Sequence, residues 1–228
     1  MKPRVELRRV RGSLELRIDG TQASVYRPGG GVTGVVWWTL ASPILLLPRG
    51  RQRRVLLLGL AAGSVAQAVR ALDPDAEIVG VEWDREVLRL ARRHFGLDRL
   101  HLEVIAGDAL EVLRRERRRF DLIVEDLFVG PSRSVRKPDW LLGEGYRLIR
   151  RRLRRSGFVV SNTIHETPDV VRAMRPIGGR IVSCGVRGHW NHVVVTGRTL
   201  PPPRELRRAL AASPKISPVL TRLGLRSV

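Results

Sequence analysis

This chain has almost no lysine and a single cysteine. Over its 228 residues, lysine occurs only at Lys2, Lys137 and Lys215, so nearly all of the 42 basic side chains are arginine. Cys184 stands alone, which excludes an intrachain disulfide framework and a cysteine-rich zinc cluster. Aromatic residues make up only 5%. Long apolar runs are missing too: residues 35–47 are the most apolar stretch, but they are broken by Pro43 and too short for a bilayer. The opening MKPRVELRR lacks the apolar core of a secretory signal, so the expected location is cytoplasmic, with no membrane partner.

Positive charge is abundant. Against 42 basic residues stand 22 acidic ones, a formal net charge of +20. Such a surplus attracts polyanions, and nucleic acid is one partner it fits. The arginine runs at 114–119 and 150–155 fall where surface helices are expected to end, and cations there complement the helix dipole. A solvated basic face is therefore favoured over a nucleic-acid interface. Hydrophobic residues at 43% and this length suit one α/β domain with small additions.

The hydrophobic pattern changes period along the chain. Val5, Leu7, Leu14, Leu16, Ile18, Ala23 and Val25 alternate at period two, punctuated by Gly12 and Asp19-Gly20. This predicts an N-terminal β-hairpin region over residues 1–33. Pro28-Gly29-Gly30-Gly31 reads as a loop, and residues 34–47 as an apolar helix or extended segment with Trp37 and Trp38 in the core. From Arg54 onward, strand patterns at 55–59, 77–82, 102–107, 120–126 and 157–162 alternate with helical ones. Asp84 suits an N-cap, and Thr167-Pro168-Asp169 a helix start. Segments 180–186 and 192–197 read as a closing hairpin. The expected fold class is α/β: a class I methyltransferase Rossmann-like sheet with a closing β-hairpin over residues 34–199, behind a small antiparallel β-hairpin domain. Residues 200–228, with repeated prolines and no long period, predict an irregular or weakly helical tail.

In doubly wound sheets ligands bind beyond the carboxyl ends of the strands. Three successive strand ends here carry acids behind a glycine turn: GLAAGS at 59–64, then Glu82, Asp108 and Asp126. Gly59 and Gly63 permit close backbone approach around Ala61. Ala61 and Ser64 stand where a dinucleotide fingerprint needs glycine, which disfavours NAD and FAD. Glu82 is spaced to accept from both ribose hydroxyls, Asp108 from an exocyclic amine, and Asp126 to face the reactive or amino-bearing end of the ligand. Trp83 and Ala109 follow two of these acids and complete the candidate contacts. Each position has a plainer alternative: a tight turn, a helix cap at Glu82 or Asp108, a surface acid at Asp126. Their succession on neighbouring strands favours the ligand. Glu125 precedes Asp126, and neighbours on a strand face opposite ways. His165 fits a solvated loop better than a base, and His189, His192 and Cys184 lack metal-ligand spacing, so no metal is expected.

The segments RIDGTQASVY, VLLLGLAAGS, VGVEWD, IAGDALEVL and FDLIVEDLFVG, in that order, resemble the spermidine synthase-like family of class I S-adenosylmethionine-dependent transferases. The resemblance spans about residues 14–197. It implies an S-adenosylmethionine or decarboxylated S-adenosylmethionine ligand, with contacts at Gln22 on the substrate side and at Glu82, Asp108 and Asp126. It admits a homodimer. Departures from the family pattern bear on the acceptor: Ala62 replaces an aspartate of the glycine loop, and Val129 the second acid of an Asp-x-x-Asp stretch. Residues 35–40 lack the family's Tyr-His-Glu. A polyamine is a dication whose attacking amine must lose a proton, so its pocket needs several carboxylates. Methyl transfer to an unknown acceptor is therefore ranked first, with Asp126 as the catalytic residue. Aminopropyl transfer to a polyamine is second, and a non-catalytic nucleotide-binding module with a basic surface third.

Overall fold

A computed structural model describes residues 3–29, 34–48, 50 and 52–228. Three short strands form an antiparallel N-terminal sheet in the order β1 (Val5–Val10), β2 (Ser13–Ile18), β3 (Thr21–Tyr26). Its two-residue turns, Arg11-Gly12 and Asp19-Gly20, have positive φ at both positions. That is the backbone of the primed turns whose twist matches paired strands. Leu16 is fully buried, so this sheet shares the main core. The Pro28–Gly31 loop expectation falls in part on residues outside those described. The apolar stretch that follows is helical: α1 (Val35–Ala41) runs into a 3₁₀ turn over Ser42–Leu46.

The main sheet contains β4 (Arg54–Leu58), β5 (Glu77–Glu82), β6 (Glu103–Ala106), β7 (Phe120–Glu125), β8 (Leu153–Thr163), β9 (Arg180–Val186), β10 (His192–Gly197) and β11 (Leu223–Ser227). The spatial order is β11-β9-β10-β8-β7-β4-β5-β6. Strands β4 to β8 pair in parallel, and β10 is antiparallel to both β8 and β9. The expected α/β class and closing hairpin are both present. Residues of β4 alternate between two cores: Val55 and Leu57 pack to one side, Leu56 and Leu58 to the other. A strand covered on both faces must read as a continuous apolar run, and RVLLL does. Helices α2 (Ser64–Leu72) and α3 (Arg85–His94) cover the first face; α4 (Ala109–Arg115), α5 (Tyr146–Arg152) and α6 (Thr167–Met174) cover the second.

Two expectations differ from the structure. Strand β8 starts at Leu153, inside the arginine run, rather than at Gly157. Gly157 allows this, because a Cβ there would lie 2.8 Å from the Asp121 carbonyl oxygen. Residues 200–228 are not an irregular tail. They form α7 (Pro203–Ala211), α8 (Ser217–Leu220) and β11, which pairs antiparallel with β9. Leu206 and Leu210 of α7 are buried, and the Arg207 guanidinium donates to the Leu220 and Leu223 carbonyls at 2.8 and 2.6 Å. Among the described residues, no helix is long and apolar enough to cross a membrane.

Candidate active site

The ends of β4, β5, β6 and β7 lie side by side, and the turn after β4 supplies the floor. Gly59 has φ +87°, and a Cβ there would sit 2.6 Å from the Asp126 carbonyl oxygen, so only glycine lets these strand ends touch. Gly63, at φ +90°, caps α2, and its missing side chain makes room for Leu97. Between them Ala61 takes φ +47°, a left-handed conformation uncommon for a residue with a Cβ. Strain of this kind persists only where neighbours hold it. Here the Ala61 N–H donates to Glu82 Oε2 at 2.9 Å, and the Ala62 N–H to Ser24 Oγ of β3 at 3.0 Å. Ser64 Oγ accepts from the Val25 N–H at 3.0 Å. The N-terminal sheet is thus fastened directly onto the glycine turn, a role for Ser24 and Ser64 that hydrophobic patterning does not reveal.

Glu82 ends β5 and is only 6% exposed. Its second oxygen accepts from the Asp84 N–H at 3.0 Å. Burial pushes its carboxyl above the usual range, against the lowering effect of these backbone donors. Each oxygen still has acceptor capacity beyond its one backbone bond. Glu82 therefore braces the strained turn and keeps acceptor capacity to spare. Trp83 beside it is 64% exposed. The Gly107 N–H donates to the Glu82 carbonyl at 2.9 Å, which sets the end of β6 next to Glu82. Asp108 there is exposed and caps α4, its Oδ1 accepting from the Leu110 and Glu111 N–H groups. Ala109 is buried behind it.

Asp126 lies just past β7 and accepts from Asn162 Nδ2 at 2.8 Å. Asn162 Oδ1 accepts in turn from Asn191 at 2.9 Å. Burial raises the Asp126 carboxyl above its ordinary value, the Asn162 bond opposing the rise. Glu125 faces the other way. It is fully buried, paired with Lys137 Nζ at 2.7 Å, and also accepts from the Leu127 N–H, the Tyr146 hydroxyl and the Ser161 hydroxyl. Lys137 also donates to the Leu127 carbonyl and sits 3.9 Å from the centre of the Phe128 ring. Its backbone N–H donates to Glu166. The loop from 127 to 139 is thus anchored from beneath. Above, the Ser132 N–H donates to the Asp19 carbonyl in the β2–β3 turn.

The positions that bear on the acceptor divide. Ala62 is fully buried against β3, whereas Val129 is 39% exposed on the loop after β7. Gln22 is exposed on β3, and a bulge separates it from the buried Ser24: Gln22 pairs with Arg17 and Ser24 with Leu16, so the two do not share a face. His165 is exposed in the turn after β8 and is not brought to the acids. The Cys184 thiol is pushed by burial to about 12, which removes it as a nucleophile near neutral pH. A hollow of about 420 Å³ lined by Gln52, Arg70, Glu77, His101 and Glu103 lies at the opposite end of the sheet, where strands begin. It is the wrong end for the ligand of such a fold.

Comparison with known proteins separates class from relatives. No family model matches the chain. In fold, it is similar to a probable spermidine synthase from Corynebacterium glutamicum, with TM-score 0.78 and 16% identity over 99% of this chain and 88% of that one. It is also similar to human methyltransferase-like protein 13 in complex with SAH, with TM-score 0.69 and 18% identity over 83% and 93%. A spermidine synthase in complex with the transition-state analogue AdoDATO gives TM-score 0.70 and 17% identity over 90% and 73%. The class is that of class I methyltransferase-like sheets with a small N-terminal sheet. In sequence, part of the chain is similar to two curated proteins. It is 31% identical over 123 residues to a polyamine aminopropyltransferase of Vibrio vulnificus, covering 52% of this chain and 40% of that protein. It is 30% identical over 95 residues to polyamine aminopropyltransferase 2 of Caldanaerobacter subterraneus, covering 39% and 32%. The matches span less than half the length of these curated relatives.

Proposed function

We propose that this chain is a transferase that uses an adenosyl sulfonium donor, S-adenosylmethionine or its decarboxylated form. The observation that carries the reading is Glu82, held by the Ala61 and Asp84 N–H groups at the end of β5 with lone pairs left to accept ribose hydroxyls. Asp108 supports it as an acceptor for an exocyclic amine, with Trp83 and Ala109 as neighbouring contacts and Gln22, exposed on β3, as the substrate-side contact the resemblance implies. The donor supplies a carbon made electrophilic by a positive sulfur. Asp126 holds the amino-bearing or reacting end, and its raised pKa brings it closer to the range of a useful proton acceptor. The loop at 127–139 helps exclude water and orient the acceptor.

Of the two transfers, the curated relatives, both named as aminopropyltransferases, favour aminopropyl transfer from decarboxylated S-adenosylmethionine to a polyamine. This reverses the ranking drawn from the sequence. Asp126 supports it: a carboxylate at the amino-bearing end suits a donor that has lost its own carboxylate. One observation favours methyl transfer as a second reading. The Glu125 charge is neutralised by Lys137, and Ala62 and Val129 add none, so Asp126 is left to meet a dicationic acceptor. Calorimetry with each donor, followed by product analysis with putrescine, decides between them. Spermidine formed only from the decarboxylated donor supports the first reading. Turnover of S-adenosylmethionine alone supports the second. If neither nucleotide binds at millimolar concentration, the transferase reading fails and a non-catalytic module takes its place.

A further inference from the structure

A second hollow, of about 370 Å³, opens at the tip of the β9–β10 hairpin and the start of β11. Thr163, the last residue of β8, pairs with His192, and Val186 pairs with Leu223. The hollow therefore lies at the same end of the sheet as Glu82 and Asp126, beyond the opposite flank of β8. Its lining is Gly185–Gly188 and His189 from the hairpin, His192 from β10, and Arg222, Leu223 and Gly224 from the start of β11. Four cationic or titratable side chains, Arg187, His189, His192 and Arg222, meet there, and among the described residues no carboxylate lines it. Neither arginine forms an ion pair among the described residues. Elsewhere arginines commonly do: Arg53, Arg54, Arg114 and Arg118 all face acids.

The backbone holds the cations together. Arg222 Nη2 donates to the Arg187 carbonyl at 2.9 Å, and the Arg187 N–H donates to the Arg222 carbonyl at 2.8 Å. A Cβ on Gly188 would lie 3.3 Å from Arg222 Nη2, so glycine at φ +80° leaves the guanidinium its place. Burial and the Arg222 charge both push the His189 pKa down. His192 Nδ1 lies 3.4 Å from Ser183 Oγ, which limits how its ring can turn. The Asn191–Asn162–Asp126 chain fixes this hairpin tip relative to the candidate active site. Like charges gathered this way repel one another, and a bound anion relieves the repulsion.

We propose that this hollow is a binding site for an oxyanion, a phosphate or carboxylate group carried by a small ligand. The planar guanidinium of Arg222 presents a fork of donors suited to either group. Trp190, 83% exposed in the same turn, gives the ligand's remaining body an apolar surface to lie on.

The probes are inorganic pyrophosphate and malonate, titrated into the full chain at constant ionic strength while the histidine ring signals are followed by NMR. The His189 and His192 signals are expected to shift and saturate, and the His189 titration midpoint to rise by at least about 0.5 pH unit, because the anion favours the imidazolium. Saturation by pyrophosphate assigns a phosphate ligand, and saturation by malonate alone a carboxylate one. Arg222→Gln and His189→Gln should each weaken binding, the former by about tenfold or more. Arg151→Gln, on the exposed face of α5, serves as the control for general charge and should leave affinity unchanged. Non-saturating shifts with both probes would overturn the proposal. So would an Arg151→Gln variant that loses as much affinity as Arg222→Gln, with folding of each variant verified by its melting curve.

Discussion

The two carboxylates at the end of β7 and the one at the end of β5 meet water and charge in different ways. Glu82 is held by backbone N–H groups alone, with no cation among its hydrogen-bond partners. Glu125 is held by a lysine, a tyrosine, a serine and a backbone N–H, and is sealed from solvent. Asp126 stands between these extremes, with one asparagine as its polar side-chain partner. Backbone donors leave a carboxylate anionic and available; an ammonium partner in a dry site satisfies it completely. On the proposed function, the Glu82 side of the crevice is the one left open to a ligand, while the underside of β7 is built to hold a loop.

The sharpest way to break this contrast is to remove Lys137. Lys137→Ala would leave Glu125 charged and unpaired in a fully buried site, where loss of one partner costs about 3–5 kcal/mol. Urea unfolding measures it. The double variant Glu125→Gln/Lys137→Met removes both charges and should recover most of the loss. A single variant within about 1 kcal/mol of the parent would show that the pair does not anchor the loop.

Asp126→Asn tests the intermediate case. Transfer should fall by roughly 10²–10⁴-fold, as expected when a proton acceptor is lost, and donor affinity should fall as well, because the amide no longer pairs with the donor's amino-bearing end. Stability should move the other way. The Asp126 pKa is raised by burial, so the folded state holds the proton more tightly than the unfolded one. The charged form then costs stability above the folded pKa, and that cost disappears as pH falls through it. The asparagine variant is expected to be at least as stable as the parent at pH 8, with the gap closing toward about pH 4, the ordinary carboxylate range. Paired urea curves at the two pH values read this directly, and a variant markedly weaker at pH 8 contradicts the assignment.

Glu82→Ala should weaken nucleotide binding by about 1–3 kcal/mol, the cost of leaving buried polar groups unpaired. Because burial raises the Glu82 pKa, donor affinity in the parent should begin to fall at a higher pH than for an ordinary carboxylate, as protonation removes the acceptor. Calorimetry from pH 8 downward follows the loss. Unchanged affinity in the alanine variant would remove Glu82 from the site.

How far these contrasts could be read from sequence depends on how local their causes are. The strand–helix alternation and the closing hairpin are both visible as period and length. The positions of Glu82 and Asp126 at strand ends are legible because each follows a buried apolar run. The caps at Asp84 and Asp108 are local hydrogen bonds, the first legible outright and the second as an alternative. The bracing of Ala61 by Glu82 was not legible, because Ala61 is strained only in three dimensions. Strand β11 was missed because its five residues gain their order by pairing with β9, not from their own pattern. The Lys137–Glu125 pair joins residues whose side chains meet only after the loop closes. One signal for it was present. In a chain that uses arginine almost everywhere, Lys137 is one of three lysines. A compact ammonium fits a fully enclosed site against a ring and a carboxylate where a guanidinium is too broad.

The smallest expected effect separates the two transfer readings. Val129 is partly exposed, and its backbone pairs with Arg136 within the anchored loop, so its side chain can change without disturbing the fold. Val129→Asp would place a second carboxylate on the loop that starts at Asp126, facing solvent rather than the Lys137 pair. An exposed charge pair contributes about 0.2–1 kcal/mol, so the gain in affinity for a dicationic acceptor should be no more than roughly fivefold. If aminopropyl transfer is the reaction, kcat/KM for putrescine should rise by that modest factor, the gain shrinking with added salt as screening requires. If methyl transfer to an uncharged acceptor is the reaction, the substitution should leave turnover unchanged. A fall in putrescine turnover would place Val129 against an apolar part of the acceptor, and the loop after β7 would then select its substrate by shape instead of charge.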